Sequence, residues 1–176
     1  IDDIQDGVGR TGSFFSFDDL DLDPDIICLA KGIGGLGTPM AMNLVKPEHD
    51  QHWLPGEHTG TFRGQDISFI AGDQALTYFD DDELMQTVKA HGAMMADSLQ
   101  PLVDRHPLVN LTGKGMILGL DVGNGDRAKQ IVSQCFESGL MIASCGTGGR
   151  VEKLIPPLTT PKADLEEGLK ILIKAT

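Results

Sequence analysis

Lys31 is the residue of this sequence best placed for covalent chemistry. It follows the apolar run Asp25–Ala30 and precedes a cluster of glycines, so it stands at the end of a predicted buried strand. A lysine amine attacks carbonyl carbons when it is partly desolvated, and glycines let a bulky ligand approach the backbone. The same position also suits a lysine that only marks a strand exit and extends its amine into water. The local sequence leaves both interpretations open.

Asp2 and Asp3 form an acidic pair at the end of another predicted strand, residues 1–5. In open α/β sheets, ligands bind at the carboxyl ends of the strands, and a carboxylate there could pair with a cationic ring nitrogen. The alternative is a pair of acids that simply face a loop. The spacing between this pair and Lys31 favours a shared site.

The elements that must position these residues alternate between strands and helices, which predicts an α/β fold. Strands are expected at 25–30 and 38–45, an irregular segment at 46–63, and helices at 66–79 and 82–104. Further strands follow at 109–111, 116–122, 140–143 and 151–155, with helices at 127–138 and 161–174. We expect a domain boundary inside the long helix, which divides residues 1–85 from a smaller α/β domain at 86–176.

The net charge of −12 argues against nucleic acid and anionic membranes as partners, because both require basic surface. Much of the acid lies at residues 18–25 and 80–83, which are interpreted as solvated turns; a surface adapted to high salt is the alternative. No apolar run approaches the length of a membrane span, and no signal peptide is visible. The first residues, without an initiator Met, suggest that the chain starts inside a fold.

Cysteine and histidine usage predicts no metal site. The three cysteines lack metal-ligand spacing and are odd in number, which favours a reduced, cytoplasmic setting. The five histidines form no ligand cluster in the sequence. We therefore expect small-molecule chemistry without a metal.

Several segments together resemble the cofactor-site signature of class III aminotransferases. They are Asp-Asp-Ile-Gln-x-Gly-x-Gly-Arg-Thr-Gly at 2–12, Pro-Asp-Ile at 24–26, Ala-Lys-Gly-x-Gly-Gly at 30–35 and His-Thr-Gly-Thr-Phe-Arg-Gly at 58–64. Lys-Leu-Ile-Pro-Pro-Leu at 153–158 resembles the substrate-carboxylate strand of that family. The resemblance implies the C-terminal part of a pyridoxal-phosphate-dependent transferase of fold type I. That part would comprise a portion of the large mixed-sheet domain and the small α/β C-terminal domain.

The resemblance also implies a role for each matching residue. Lys31 would hold pyridoxal 5'-phosphate covalently and later move a proton on the substrate. Asp2 would pair with the pyridine nitrogen of the cofactor, and Gln5 would bond its ring hydroxyl. Thr61 would reach the cofactor phosphate of a neighbouring subunit, which implies at least a homodimer. Asp3 is expected to be structural.

Residues 50–58, 60–64 and 113–116 are similar to one group within the class. That group makes 2,4-diaminobutyrate from glutamate and aspartate 4-semialdehyde, which in many bacteria is the first step of ectoine synthesis. Lys153 stands where many class III enzymes carry an arginine that clamps a substrate carboxylate, and a point charge does not replace a bidentate fork. Arg63 could contribute to the clamp. For both residues, the alternative is an ordinary surface cation.

Two other functions stay open at this stage. One is a different class III reaction, either transamination of ornithine, acetylornithine or 4-aminobutyrate, or the reaction of a semialdehyde aminomutase. The other is a non-enzymatic phosphate-binding module built on the glycine-rich loop 32–37, although Lys31 precedes these glycines whereas the lysine of a phosphate loop follows them. The resemblance further implies that an upstream half is absent. The chain alone is therefore expected to be inactive and to aggregate through its uncovered sheet edge.

Overall fold

The computed structural model describes residues 1–35 and 37–176, so that Leu36 of the predicted glycine-rich loop lies outside the described residues. The chain divides into two compact units, Ile1–Met85 and Gln86–Thr176. Both units combine helices with sheets, as the sequence predicts. The assignment of these units to a large and a small domain of a longer protein stays a prediction.

A short mixed sheet organises the first unit. Strands β1 (Ile26–Ala30) and β2 (Ala41–Val45) pair in antiparallel register, with Ile26 opposite Val45 and Ala30 opposite Ala41. On the other edge of β1, the segment 1–3 runs parallel to it, because the Cys28 amide donates to the carbonyl of Ile1 (2.9 Å) and the Asp3 amide donates to that of Cys28 (3.0 Å). The predicted strand end at the start of the chain is therefore one edge of this sheet.

Aromatic and aliphatic side chains form the core of the first unit. Val8, Leu29 and Ile33 are buried there, and Phe14 contacts both Phe15 and Phe79 edge to face, with ring centroids 4.8 and 4.9 Å apart. The helices are α1 (Pro47–Asp50) and α2 (Asp66–Leu76), and a 3-10 turn at Thr77–Phe79 follows α2.

The second unit is built on an antiparallel sheet of four strands in the order β3-β4-β6-β5. The strands are β3 (Asn110–Lys114), β4 (Ile117–Asp121), β5 (Ala143–Cys145) and β6 (Val151–Leu154). The register of the central pair brings Leu118 opposite Leu154 and Asp121 opposite Val151. The alternating burial of β4 and β6 shows that one face of this sheet is covered.

The remaining helices are α3 (Glu83–Arg105), α4 (Gly125–Glu137) and α5 (Lys162–Ala175). The Asn124 side chain caps α4, since its Oδ1 accepts from the amides of Asp126 (2.8 Å) and Arg127 (3.1 Å). On α5, Leu165, Leu169 and Leu172 recur at helical spacing and are all buried. Among the described residues, none of the helices has both the length and the apolar character that a membrane span requires.

Three details of the predicted secondary structure are wrong. The strand expected at 140–143 occupies Ala143–Cys145, because the Leu140 amide donates to the Cys135 carbonyl (2.8 Å) and so ends α4. The strand expected from residue 38 begins at Ala41, since the Thr38 hydroxyl bonds the Gly34 carbonyl (2.7 Å) within a turn. The segment predicted to be irregular contains α1, which starts with a proline at its first position.

Candidate functional site

Lys31 is the first residue of a 3-10 turn, Lys31–Gly34, that follows directly after β1. Its backbone lies in the left-handed region with φ of +53°, which residues other than glycine rarely adopt. The sequence predicts a buried strand here, and β1 is buried only in part. Lys31 is exposed and so is Ile26, because only the face of β1 that carries Leu29 is covered by the core.

Lys31 lines a cavity of about 660 Å³ in the first unit. The cavity lies between the segment that follows the lysine turn, residues 37–41, and the segment that leads into α2, residues 62–69. Its wall combines polar residues with apolar ones. The polar residues are Thr38, Gln65 and Ser68, and the large apolar residues are Met40, Phe62 and Phe69. The volume falls within the range of about 300–1,000 Å³ that small-molecule sites occupy.

Close backbone contacts hold the lysine turn against α2. Gly35 adopts φ of +62°, and a side chain there would overlap the carbonyl oxygen of Ala71. Gly72 also makes a close contact from the helix, since a methyl group on it would lie 2.8 Å from the carbonyl oxygen of Ile33. The glycines after Lys31 thus serve two purposes: they turn the chain, and they permit contact with a helix.

Asp2 lies beside the middle of β1, the strand that leads to Lys31. It forms a parallel bridge with Cys28, and Lys31 follows Cys28 by three residues, or about 10 Å along an extended strand. The Asp2 side chain is exposed, and its Oδ1 accepts from the amide of Ile4 (3.1 Å). The combination of Asp2 and Lys31 in one site stays a prediction.

Asp3 is fully buried and holds together the loop that follows it. Its carbonyl accepts from the Gly7 amide (3.0 Å), and its Oδ2 accepts from the Ser16 amide (3.1 Å). Gly7 packs against the carboxylate so tightly that a methyl group there would lie 2.6 Å from Oδ2. Gln5 lies half-buried in the turn between Asp3 and Gly7. A structural part for Asp3 agrees with these contacts.

Thr61 and Arg63 lie in an exposed loop before α2. The Arg63 amide donates to the carbonyl of Gly60 (3.0 Å), which makes a tight turn. Neither Thr61 nor Arg63 is among the residues that line the lysine cavity, whereas Phe62 and Gly64 are. Phe62 is 99% exposed even though it borders the cavity. The sequence reasoning missed Phe62, although a large aromatic residue inside a glycine-rich loop is a visible signal.

Lys153 belongs to the second unit, on β6, where it lies opposite Gly119 of β4 and Ala143 of β5. It is half-buried and lines a cavity of about 570 Å³ whose other walls are mostly aliphatic, including Met95, Leu140, Pro156 and Leu169. A cation at the edge of an apolar cavity suits recognition of a carboxylate on an otherwise apolar or flexible ligand. Its combination with Lys31 in one site stays a prediction.

Glu152, the neighbour of Lys153, is an acid that the sequence reasoning missed. It is fully buried, and neither carboxyl oxygen has a hydrogen-bond partner among the described residues. Burial raises its pKa from 4.5 to about 7. It faces α4, where burial and the charge of Glu152 together raise the pKa of the Cys135 thiol. The alternation of side chains along β6 could have indicated this burial, because Glu152 lies on the same face of the strand as the buried Leu154.

Among the residues that the structure describes, one group of side chains resembles a set of metal ligands. Ligand atoms of Asp25, Glu48 and His49 all lie within 4.8 Å of one another, although all three residues are exposed. Lys46 pairs with Asp23 (2.7 Å) and Asp25 (3.5 Å), so an ammonium group already supplies positive charge there. His49 and Lys46 lower the pKa of Asp25. The prediction that the protein uses no metal stays a prediction.

Known proteins resemble the whole of this chain. A family model described as aminotransferase class-III matches residues 1–176. The diaminobutyrate–2-oxoglutarate transaminase of Oceanobacillus iheyensis is 42% identical over 174 residues, which cover 98% of this chain and 41% of that protein. The corresponding transaminase of Wolinella succinogenes is 44% identical over 177 residues, with coverage of 99% and 41%.

Solved structures agree with the sequence matches. The ornithine aminotransferase of Toxoplasma gondii superposes on 99% of this chain with a TM-score of 0.88 and 28% sequence identity, and the matched part is 42% of that protein. The fold is therefore that of the pyridoxal-phosphate-dependent aminotransferases, as the sequence predicts. The chain spans about 41% of the length of the curated relatives that it matches.

Proposed function

This chain belongs to the class III aminotransferases, and we propose that the whole protein containing it is a transaminase in which Lys31 binds pyridoxal 5'-phosphate. The observation that carries the proposal is the position of Lys31. The lysine follows β1 in a left-handed conformation, borders a cavity of about 660 Å³, and stands three residues after Cys28, which pairs with Asp2. Strained backbone of this kind is concentrated at functional sites.

The residues present fit this cofactor in their chemistry and in the room they leave. The exposed amine of Lys31 can react with an aldehyde, and the exposed carboxylate of Asp2 can pair with a protonated ring nitrogen. Gln5 offers an amide for a ring hydroxyl, and Thr61 offers a hydroxyl for a phosphate. Gly37, which lines the same cavity as Lys31, has open space where a side chain would begin, so this part of the wall leaves room for a ligand.

Each of these residues has a distinct part in the proposed reaction. Bound pyridoxal phosphate supplies an electron sink for negative charge that develops on the amino substrate. Asp2 keeps the ring nitrogen protonated through a charge pair, which strengthens that sink. The Nζ of Lys31 would accept the proton that the amino donor loses from its α-carbon and pass it to C4′, the aldehyde carbon of the cofactor. Thr61 would serve the site of a second copy, so we propose at least a homodimer.

For the substrates, we propose glutamate as amino donor and aspartate 4-semialdehyde as acceptor, which yields 2-oxoglutarate and 2,4-diaminobutyrate. The support is the 42% and 44% identity to transaminases named for diaminobutyrate and 2-oxoglutarate. Lys153 and Arg63 are the proposed cations for substrate carboxylates. A place at the start of ectoine synthesis and a cytoplasmic location belong to the same proposal.

A second candidate is another class III reaction, such as transamination of ornithine, acetylornithine or 4-aminobutyrate. The observation that favours it is the TM-score of 0.88 with an ornithine aminotransferase, although the sequence identity is only 28%. The phosphate-module interpretation has no comparable support, since the family match covers the glycine-rich loop together with the rest of the chain.

The test uses the whole protein, reconstituted with pyridoxal phosphate, and the Lys31→Ala variant as control. We expect a visible absorbance band in the wild type that is absent in Lys31→Ala. Glutamate should remove the band and aspartate 4-semialdehyde should restore it. A wild type without a lysine-dependent band would overturn the proposal. Restoration by ornithine-derived or 4-aminobutyrate-derived semialdehydes, but not by aspartate 4-semialdehyde, would favour the second candidate. The same assay on the 176-residue chain alone should show no turnover.

A further inference from the structure

Two residues other than glycine adopt left-handed backbone in the part of the chain that the structure describes. They are Lys31 and Val8, each with φ of +53°. For Val8 the conformation is the more unusual one, because a β-branched side chain crowds the backbone there. Such conformations persist only where the surroundings enforce them, and they are concentrated at functional sites.

Val8 packs against the residues on both sides of Lys31. It is 6% exposed and shares the core of the first unit with Leu29, which precedes the lysine, and Ile33, which follows it. A methyl group placed on Gly32 would lie 3.2 Å from Cβ and 3.5 Å from Cγ1 of Val8. The isopropyl group of Val8 therefore lies directly against the backbone of the residue after Lys31.

Hydrogen bonds on both sides enforce the conformation of Val8. Before it, the Gly7 amide donates to the carbonyl of the fully buried Asp3 (3.0 Å). After it, the Gly9 amide donates to the carbonyl of Phe14 (3.4 Å). The turn that carries Val8 is thus supported independently of Lys31 and can act on the lysine turn from outside.

We propose that Val8 is a positioning residue for Lys31: its side chain supports Gly32 and so keeps the Lys31 backbone in the left-handed conformation that presents its amine to the cavity. This inference rests on the proposed function, in which Lys31 binds pyridoxal phosphate. Only a few per cent of residues other than glycine adopt this conformation when nothing enforces it. The apparent affinity for the cofactor falls in proportion to the fraction of molecules in which Lys31 has this conformation. Loss of the support from Val8 should therefore weaken cofactor binding by about tenfold or more.

The decisive comparison is Val8→Ala against Val109→Ala in the whole protein. Val109 is a matched control, because it is 4% exposed and lies in the second unit. The readouts are the cofactor dissociation constant, the pH at which the visible band changes, the kcat and KM for glutamate, and the urea midpoint. We expect both variants to lose stability. Only Val8→Ala should raise the dissociation constant by about tenfold or more and lower kcat, with the KM for glutamate within about twofold of the wild type.

Gly32→Ala tests the contact between Gly32 and Val8 from the other side. Gly32 is exposed, so the variant should still fold. Its methyl group would press on Val8 and should weaken cofactor binding in the same way. Because both changes disturb the same contact, the double variant Val8→Ala/Gly32→Ala should weaken cofactor binding by clearly less than the product of the two single effects. If the new methyl group instead clashed directly with the cofactor, the two single effects would multiply in the double variant.

Wild-type cofactor affinity and kcat in Val8→Ala, or changes equal to those of Val109→Ala, would overturn the inference while the proposed function stood. Single effects that multiply in the double variant would overturn the inference as well. If Val8→Ala does not fold, Gly32→Ala decides: cofactor affinity equal to that of the wild type overturns the inference. A wild-type protein without a Lys31-dependent visible band would overturn both the proposed function and this inference.

Discussion

Replacement of Glu152 by glutamine should make the second unit more stable at neutral and alkaline pH. The carboxyl group is fully buried without a hydrogen-bond partner among the described residues, and burial raises its pKa from 4.5 to about 7. At about 1.4 kcal/mol for each pKa unit, this difference corresponds to about 3 kcal/mol of lost stability when the group is ionised. Glutamine has nearly the same shape and buries an amide without the charge.

The sign of the pH dependence follows from the raised pKa in the folded state. Below pH 4.5 the carboxyl is neutral in both the folded and the unfolded chain, so its ionisation costs nothing. Between pH 4.5 and about 7 the unfolded chain ionises first, and stability falls as the pH rises. The advantage of Glu152→Gln should therefore be less than about 1 kcal/mol at pH 5 and about 3 kcal/mol at pH 8.

Labelling of Cys135 by a maleimide provides the assay. Cys135 is fully buried on α4, faces Glu152, and reacts only when the second unit opens. Mass spectrometry separates it from the half-buried Cys28 and Cys145. At pH 8 the glutamine variant should react roughly a hundredfold more slowly than the wild type, and this ratio should shrink toward pH 5. Glu167→Gln, at an exposed position, is the control and should leave the rate unchanged.

A ratio of labelling rates that stays constant between pH 5 and pH 8 would refute the reasoning, since the effect would then not arise from ionisation of Glu152. Faster labelling of Glu152→Gln at pH 8 would refute it as well, because it would mean that the ionised carboxylate has stabilising partners.

Three further predictions concern the turns, a helix cap and the proposed substrate cation. Gly35→Ala should destabilise the first unit by about 2 kcal/mol more than Gly56→Ala, because both glycines have positive φ but only Gly35 contacts the backbone of α2. Amide hydrogen exchange of α2 measures the difference, and equal effects of the two variants would contradict the prediction. Asn124→Ala should cost about 1 kcal/mol through loss of the α4 cap, detected by the thiol-labelling assay, whereas Asn124→Asp should cost far less. In the whole protein, Lys153→Ala should raise the KM for the carboxylate substrate and leave the visible band intact. An unchanged KM would mean that Lys153 is an ordinary surface cation without a part in substrate binding.

Much of the secondary structure could be predicted because its causes are local. The helices α2, α3, α4 and α5 follow from apolar spacing and from acids or amides at their starts, and the structure has all of them within a few residues of the predicted bounds. The error at β5 has a longer-range cause. The pattern of residues 140–143 is strand-like, but Leu140 is engaged by the end of α4, and Gly139 in a left-handed conformation completes that helix terminus.

The candidate site was predictable in its composition more than in its geometry. Local sequence indicated Lys31 at a strand exit, Asp2 at the end of a neighbouring strand, and glycines that allow close approach. The burial of β1 is only partial, contrary to the prediction of a buried strand, since an apolar run shows that a strand can be covered and does not show what covers it. For Thr61, Arg63 and Lys153 the structure gives positions, and their parts in catalysis remain predictions.

The sequence by itself determined the order of the elements, the position of Lys31 between a strand and its glycines, and the family to which the chain belongs, because these depend on neighbouring residues and on motif spacing. Only the tertiary structure decided that Lys31 and Val8 share a left-handed conformation, that Val8 lies against Gly32, and that Glu152 is deprived of water. The reason is physical: alternation along a strand selects the face on which a side chain lies, whereas the depth of burial and the strain that it supports depend on segments far away in the chain.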